Sequence, residues 1–137
     1  MVKSKKARIG NGLFSKKNVK SGELVAKVKG KIVTDIDEEN CNYIDFGDEE
    51  TFYPFLPYRH INHSCDPNCM FVLEYDGEKK RLVIQAIKEI KVGDELFTDY
   101  GWSADSAIPC ECKTPDCRGW IVNTEEQHLV ETEAVGA

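Results

Sequence analysis

Three cysteines within eight residues, Cys110-Glu111-Cys112-Lys113-Thr114-Pro115-Asp116-Cys117, constrain this chain more than any other feature. The C-x-C-x4-C spacing, with Pro115 and Gly119 helping to turn the loop, gathers three thiolates. That is one short of the four Cys or His ligands of a closed tetrahedral zinc site. The fourth ligand must come from elsewhere, so the fold has to carry another part of the chain beneath this loop. Cys65 is the best candidate, with Cys69, Cys41, His60 and His63 as rivals. With Cys65 as ligand, the metal would tie the C-terminal loop over the centre of the domain. It would be structural, because no coordination position stays open. The competing reading is a set of free or disulfide-linked thiols. No apolar stretch of the signal-peptide kind follows the basic residues Lys3, Lys5, Lys6 and Arg8, and no apolar run has membrane length. The expectation is an intracellular, reducing compartment, cytoplasmic or nuclear, where six cysteines favour metal over disulfides.

The presumed source of the fourth ligand is itself unusual. Arg59 to Cys69 packs a charge, two histidines, two amides and two thiols into eleven residues around Pro67. Phe55 and Leu56 precede it, and the apolar run Met70 to Leu73 follows. This composition reads as a turn-rich crossing between apolar strands that aims ligands and hydrogen-bonding groups inward. The bland alternative is an Asx-type turn with a partly buried histidine.

Around these two stretches the chain punctuates itself as short strands. Leu24 to Val28 and Lys31 to Thr34 flank a Lys29-Gly30 turn. Tyr43 to Phe46 and Thr51 to Tyr53 read as a hairpin closed by Pro54 and Pro57. Met70 to Tyr75 and Arg81 to Ala86 sit either side of Asp76-Gly77, a strong hairpin signal. Lys20-Ser21-Gly22-Glu23 and Lys91-Val92-Gly93-Asp94 share one turn grammar, and the second leads into Glu95 to Thr98. No segment keeps a helical period over three turns, so the fold class is mostly β in one domain of 137 residues. The formal charge of −6 argues against nucleic acid as the main partner and suits a lysine-rich peptide.

Four stretches, in this order, resemble the SET-domain protein-lysine methyltransferases with a post-SET zinc loop. They are Gly10-Asn11-Gly12, Arg59 to Asn68 with Asn62-His63-Ser64-Cys65 at its heart, Glu95 to Gly101 with Asp99-Tyr100-Gly101, and Cys110 to Gly119. The resemblance implies a compact, β-clip-like fold of short strands in which the second and third stretches cross as a pseudoknot. It divides the chain into a SET unit over residues 8–103 and a post-SET zinc segment over 108–122. A basic, poorly ordered arm (1–7) and an acidic tail or short helix (123–137) flank them.

Functionally, the resemblance implies S-adenosylmethionine on one face and a substrate lysine, of a histone tail or another basic protein, entering a narrow channel from the other. Gly10, Asn11 and Gly12 would bring backbone to the cofactor. Asn62 and His63 would hold its amino-acid and adenine parts, and Trp120 would pack on the adenine. Tyr100 would stand at the methyl-transfer point, with Tyr43 and Tyr53 as candidate channel walls. The implied metal set is Cys65, Cys110, Cys112 and Cys117. Two positions depart from the family pattern: Asn11, where relatives often carry an aromatic, and Thr98, where they usually carry Phe or Tyr that limits the number of methyl groups added. A non-catalytic SET module that binds a basic peptide is the alternative reading. Retention of Asn62, His63 and Tyr100 together favours the enzyme.

Overall fold

The computed structural model describes residues 2–7, 10–33, 43–46, 50–102 and 104–130. Among the described residues ten strands run in chain order: β1 (Val2–Lys6), β2 (Asn11–Ser15), β3 (Leu24–Val28), β4 (Gly30–Val33), β5 (Ile44–Asp45), β6 (Thr51–Pro54), β7 (Asn62–His63), β8 (Cys69–Asp76), β9 (Lys79–Ala86) and β10 (Glu95–Thr98). They form three small sheets, ordered β1-β2-β10-β7, β3-β9-β8 and β4-β6-β5.

The β8–β9 hairpin follows its sequence signal, with Asp76 paired to Lys79 across Gly77-Glu78. Gly77, the first of the two turn residues, has a φ of 63°, which a residue with a Cβ adopts only at a cost. The two turns of like grammar are built alike. In the first, the Glu23 amide donates to the Lys20 carbonyl and the Lys20 amide to the Glu23 carboxylate. In the second, Asp94 and Lys91 repeat both bonds. Gly22 and Gly93 each take a φ of 89°, and a bridge between Val19 and Ile90 sets the two turns side by side.

The core gathers where the sheets meet. Leu13 of β2, Val25 of β3, Ile84 of β9, Leu96 of β10 and Ile90 are fully buried. In β10 burial alternates, Leu96 and Thr98 inward and Glu95 and Phe97 half-exposed, the period-two pattern of a strand with two different faces.

Two expectations change, and of the two readings of the acidic tail its start takes the helical one. Residues 2–6 of the basic arm are an edge strand, paired in register from Val2–Ser15 to Lys6–Asn11. Lysines at 3, 5 and 6 suit such an edge, because their charge discourages a further strand from adding. The chain does not fold back at Lys29-Gly30 into a β3–β4 hairpin. β3 pairs with β9 and β4 with β6, so the turn passes the chain from one sheet to another. The start of the acidic tail is docked: Val122 and Val130 are buried, and residues 127–130 are helical. Asn123 and Glu126 exchange hydrogen bonds, the Glu126 amide to Asn123 Oδ1 and Asn123 Nδ2 to Glu126 Oε2. This reciprocal cap stabilises the helix start. The Asn123 amide also donates to the Trp102 carbonyl at 2.8 Å, which fixes the start of the helix to the chain just beyond Gly101.

Candidate active site and thiolate cluster

β7 lies parallel to β10, Phe97 against Asn62 and Thr98 against His63. This pairing makes the expected crossing of the central stretch with the Asp99-Tyr100-Gly101 stretch. Asn68 reinforces it like an extra strand residue: its Nδ2 donates to the Glu95 carbonyl at 2.8 Å, and its Oδ1 accepts the Phe97 amide at 2.9 Å. The Ser64 amide donates to the Thr98 carbonyl. Backbone donors that the short strand leaves unpaired are thus satisfied by side chains.

His63 is buried and sits between two functional elements. Its Nδ1 accepts the Tyr100 amide at 3.0 Å. Nδ1 must therefore be the unprotonated nitrogen, which puts the ring hydrogen on Nε2, 3.5 Å from Cys65 Sγ. Burial lowers the imidazole pKa to about 4; the Asp99 carboxylate pulls it up, and the Arg118 guanidinium pushes it down again. His63 is neutral at pH 7 and acts as a hydrogen-bonding post. Tyr100 is held at both ends: its hydroxyl donates to the Ile61 carbonyl, and its ring lies between His63 (5.3 Å) and Trp102 (5.1 Å).

Asn62 draws in the first glycine stretch. Its Nδ2 donates to the Asn11 carbonyl at 3.1 Å and to Glu95 Oε2 at 2.9 Å. Gly10, at a φ of 56°, forms the turn into β2. A Cβ on Gly12 would lie 2.6 Å from Glu95 Oε2 and 2.9 Å from the Ala7 Cβ. Gly10, Asn11, Gly12, Asn62 and His63 therefore gather around the junction of β2, β7 and β10 as a cradle of backbone and amide groups, in which Glu95 and Ala7 take the space beside Gly12.

A separate cavity of about 640 Å³ opens beside this cradle. Its walls include Tyr43, Tyr58, Ile61, Thr98, Tyr100 and Trp102. None of the five cradle residues lines it. Tyr100 belongs to both places, bound to His63 through its backbone and part of the cavity wall. Of the two tyrosines expected as channel walls, Tyr43 lines the cavity and Tyr53 does not. Tyr53 stands behind Tyr43, 5.4 Å between ring centres, and its hydroxyl accepts a bond from Arg59 Nη1, whose guanidinium lies over the ring. Trp120 is half-buried and pairs with Pro109 at the base of the cysteine loop, away from the cavity lining.

The four sulfurs of Cys65, Cys110, Cys112 and Cys117 all lie within 4.8 Å of one another. Cys65 and Cys110 Sγ are 3.8 Å apart. A tetrahedron with Zn–S bonds of about 2.3 Å has edges of about 3.8 Å, so the donor set and spacing fit zinc. Backbone amides aim at three of the sulfurs, Arg118 at Cys65, Cys112 at Cys110 and Gly119 at Cys117, each at 3.4 Å. Such bonds stabilise thiolate charge. Of the rival ligands, Cys69 and His60 are engaged elsewhere, and His63 Nδ1 accepts the Tyr100 amide. Cys69 is fully buried, donates to the Phe97 carbonyl and has its pKa pushed up to about 12 by burial. His60 Nδ1 meets Ser4 Oγ, and Cys41 lies outside the described residues.

Sequence reasoning missed Glu95, Asn68, Trp102 and the partner of Arg118. Asp99-Tyr100 and Cys117-Arg118 both stand in quoted motifs, but nothing local links Asp99 to Arg118, 19 positions on. That pair raises the guanidinium pKa through its hydrogen bonds to Asp99.

Comparison with known proteins agrees with this geometry. Residues 10–101 match the SET domain family. The chain is 31% identical over 123 residues to "Histone-lysine N-methyltransferase set1" of Dictyostelium discoideum, covering 78% of this chain and 8% of that protein. It is 32% identical over 127 residues to the Schizosaccharomyces pombe "Histone-lysine N-methyltransferase, H3 lysine-4 specific", covering 80% and 14%. To human "Histone-lysine N-methyltransferase 2B" it is 32% identical over 130 residues, covering 82% and 5%. The chain thus spans a small part of each of these relatives. Among solved structures, a humanized Chaetomium thermophilum Polycomb Repressive Complex 2 bound to the inhibitor GSK126 superposes with a TM-score of 0.64 at 29% identity, covering 74% of this chain and 15% of that one. A second, ctPRC2 in an autoinhibited conformation bound to S-adenosylmethionine, gives 0.62 at 28% identity, covering 73% and 15%. The match runs from the first glycine stretch to Gly101, and the chain belongs to the SET domain family.

Proposed function

We propose that this chain is an S-adenosylmethionine-dependent protein-lysine N-methyltransferase whose substrate is a lysine in a histone tail or a similarly basic protein. The observation that carries the reading is the position of Tyr100, shared between the cradle of Gly10, Asn11, Gly12, Asn62 and His63 and the aromatic cavity beside it. A cofactor on one side and a lysine on the other would meet there.

When bound, S-adenosylmethionine supplies an electrophilic methyl group on a sulfonium. The chain's own residues supply position and dryness. Tyr43, Tyr58, Tyr100 and Trp102 give the cavity an aromatic wall, which strips water from an entering lysine. A lysine with an ordinary pKa of about 10.4 is charged in water and has no lone pair, and desolvation favours its neutral form. Tyr100, fixed by Ile61 and His63, keeps one orientation at the junction, so alignment supplies much of the rate. Thr98, buried and lining the cavity, leaves space where a larger side chain would stand. The four cysteines would hold structural zinc, closing the C-terminal loop over Cys65. A histone substrate would bring the protein to chromatin, and its formal charge of −6 complements a basic tail.

The test is mass spectrometry of core histones and ribosomal proteins incubated with the protein and S-adenosylmethionine, with Tyr100→Phe as control. The expected outcome is methyl masses on particular lysines, reduced about a hundredfold or more in the control. A folded, zinc-loaded sample that binds no S-adenosylmethionine overturns the reading in favour of a peptide-binding module.

A further inference from the structure

Among the described residues, the wall of the aromatic cavity holds two side chains of fixed charge, Arg59 and Asp99. Its other titratable members are Tyr43, Tyr58, Tyr100 and the Cys69 thiol, which burial keeps protonated. The Arg59 guanidinium is turned to Tyr53, outside the wall: Nη1 donates to the Tyr53 hydroxyl, and the group lies over that ring. Asp99 is thus the one carboxylate of the wall, and it directly precedes Tyr100.

A bare carboxylate there would oppose the chemistry. A negative charge within about 4–6 Å favours the charged form of an amine, and an ammonium has no lone pair with which to take a methyl group. Arg118 covers this charge. Its Nη1 meets Oδ2 and its Nη2 meets Oδ1, so each carboxylate oxygen is taken by the fork. The Gly101 amide adds a bond to Oδ1, and the neutral His63 ring stands 3.7 Å from the same oxygen. The Arg118 side chain is nearly buried, with Nε enclosed and lacking an acceptor. Its backbone amide donates to Cys65 Sγ, so the thiolate cluster fixes the point from which the fork reaches.

We propose that Arg118 is a positioning residue for methyl transfer, acting through Asp99: it neutralises the carboxylate in the cavity wall, so that a substrate lysine gives its proton to water and reacts as the amine. This rests on the methyltransferase reading above and deepens it. Arg118 itself is not part of the cavity wall. The cysteine cluster thereby gains a second task, because the residue that masks Asp99 hangs from Cys65 by its backbone. A hydrogen-bonding clamp without this electrostatic role would hold Asp99 in place but would leave the titration of the bound lysine unchanged when cut.

The experiment follows kcat against pH for zinc-loaded wild type, Arg118→Met, Asp99→Asn and the Arg118→Met/Asp99→Asn double variant, with a histone-tail peptide methylated in the assay above. Arg118→Met keeps the apolar stem and the backbone amide and removes the charge. The rising limb of kcat reports groups in the bound complex. Arg118→Met is expected to move it about one pH unit higher, and the double variant to bring it back to within about 0.3 unit of wild type. Asp99→Asn alone is expected to move it lower, because Arg118 then stands unopposed. Calorimetry at pH 7 with S-adenosylhomocysteine present compares the same peptide with one carrying norleucine, which lacks the amine, at the target position. Arg118→Met is expected to favour the lysine peptide over the norleucine peptide by about tenfold more than wild type does, as a shift of one unit requires. A limb that stays in place while both peptides weaken alike overturns the proposal in favour of a structural clamp, as does a double variant that restores nothing. If Arg118→Met fails to fold or to hold zinc, Asp99→Asn decides alone, and an unmoved limb overturns the proposal. Wild type that turns over beside variants with unmoved limbs overturns this proposal only. Wild type that methylates no peptide overturns the methyltransferase reading and this proposal with it.

Discussion

Arg118 grips Asp99 with both prongs of its guanidinium, Nη1 to Oδ2 at 3.0 Å and Nη2 to Oδ1 at 2.8 Å. One residue precedes Tyr100 in the chain and the other follows the last cluster cysteine, Cys117. The Arg118 amide meanwhile donates to Cys65 Sγ. A single residue therefore bonds the thiolate cluster with its backbone and the Tyr100 segment with its side chain.

The Arg118 side chain is only 10% exposed against 34% for Asp99, so this pair ranks above an ordinary surface ion pair. Arg118→Ala is expected to cost about 2 kcal/mol, between the surface and fully buried cases. Arg118→Lys keeps the charge but loses the planar fork, and recovers less than half of that. Urea unfolding of zinc-loaded protein checks both, and an unchanged midpoint for Arg118→Ala would refute the clamp.

Cluster membership predicts metal content. Wild type and Cys69→Ala are expected to hold one zinc per chain, because the Cys69 thiol bonds to the Phe97 carbonyl and stands outside the cluster. Cys65→Ser is expected to bind far less, as is Cys112→Ser. Chelation of the wild type should expose residues 108–122 to proteolysis before the rest of the domain, because a metal-closed loop loses its order with its metal. Elemental analysis and limited digestion read both effects; full zinc retention in Cys65→Ser would remove that residue from the ligand set.

His63 makes stability depend on pH in a defined direction. Its pKa falls from an ordinary 6.5 to about 4 on folding, so between those values the unfolded chain binds the extra proton and the folded one does not. Stability is fully present above about pH 6.5, declines as the pH falls towards 4, and gains no further slope from this group below that. The urea midpoint of wild type should therefore drop more steeply over this window than that of His63→Gln, in which the carboxylates and thiolates are shared. Parallel slopes for the two proteins would mean that the imidazole titrates normally.

Thr98 lies in the cavity wall beside Tyr100 with 4% of its surface exposed. Thr98→Phe adds bulk where successive methyl groups would accumulate on the lysine nitrogen. The highest methylation state reached at long reaction times is expected to fall by at least one, with the first methylation retained within about tenfold. Product masses over a time course decide this; an unchanged distribution would place the limiting wall elsewhere.

What could be read from the chain before folding follows the range of the interactions. Turns are local, so Gly77, Gly22 and Gly93 announced themselves, and the carboxylates at Glu23 and Asp94 completed two like turns. The cysteine loop is local too, and its three thiols called for a fourth that Cys65 supplies. β1 escaped notice because Val2-Lys3-Ser4-Lys5-Lys6 has too little apolar surface to signal a strand; its order comes from the register with β2. Strand exchange at Lys29-Gly30 depends on which distant strand each side can bury against, which no turn residue encodes. Glu95 looked like any charged residue after a Gly-Asp turn, until its partner 33 positions earlier gave it a task.

The parallel seating of β7 on β10 also governs when this site can form. Three bonds that assemble the site join segments far apart in the chain, 33 residues for Asn62 and Glu95, 37 for His63 and Tyr100, and 53 for Cys65 and Arg118. A chain emerging from the ribosome can close its local hairpins as they appear, but such distant partners must wait until residues 95–118 have been made. The site is therefore assembled only once the segment from Glu95 to Arg118 is present. A chain that stops before Glu95 keeps Gly10, Asn11, Gly12, Asn62 and His63 but lacks the Glu95 carboxylate that bonds Asn62 and the Tyr100 amide that bonds His63.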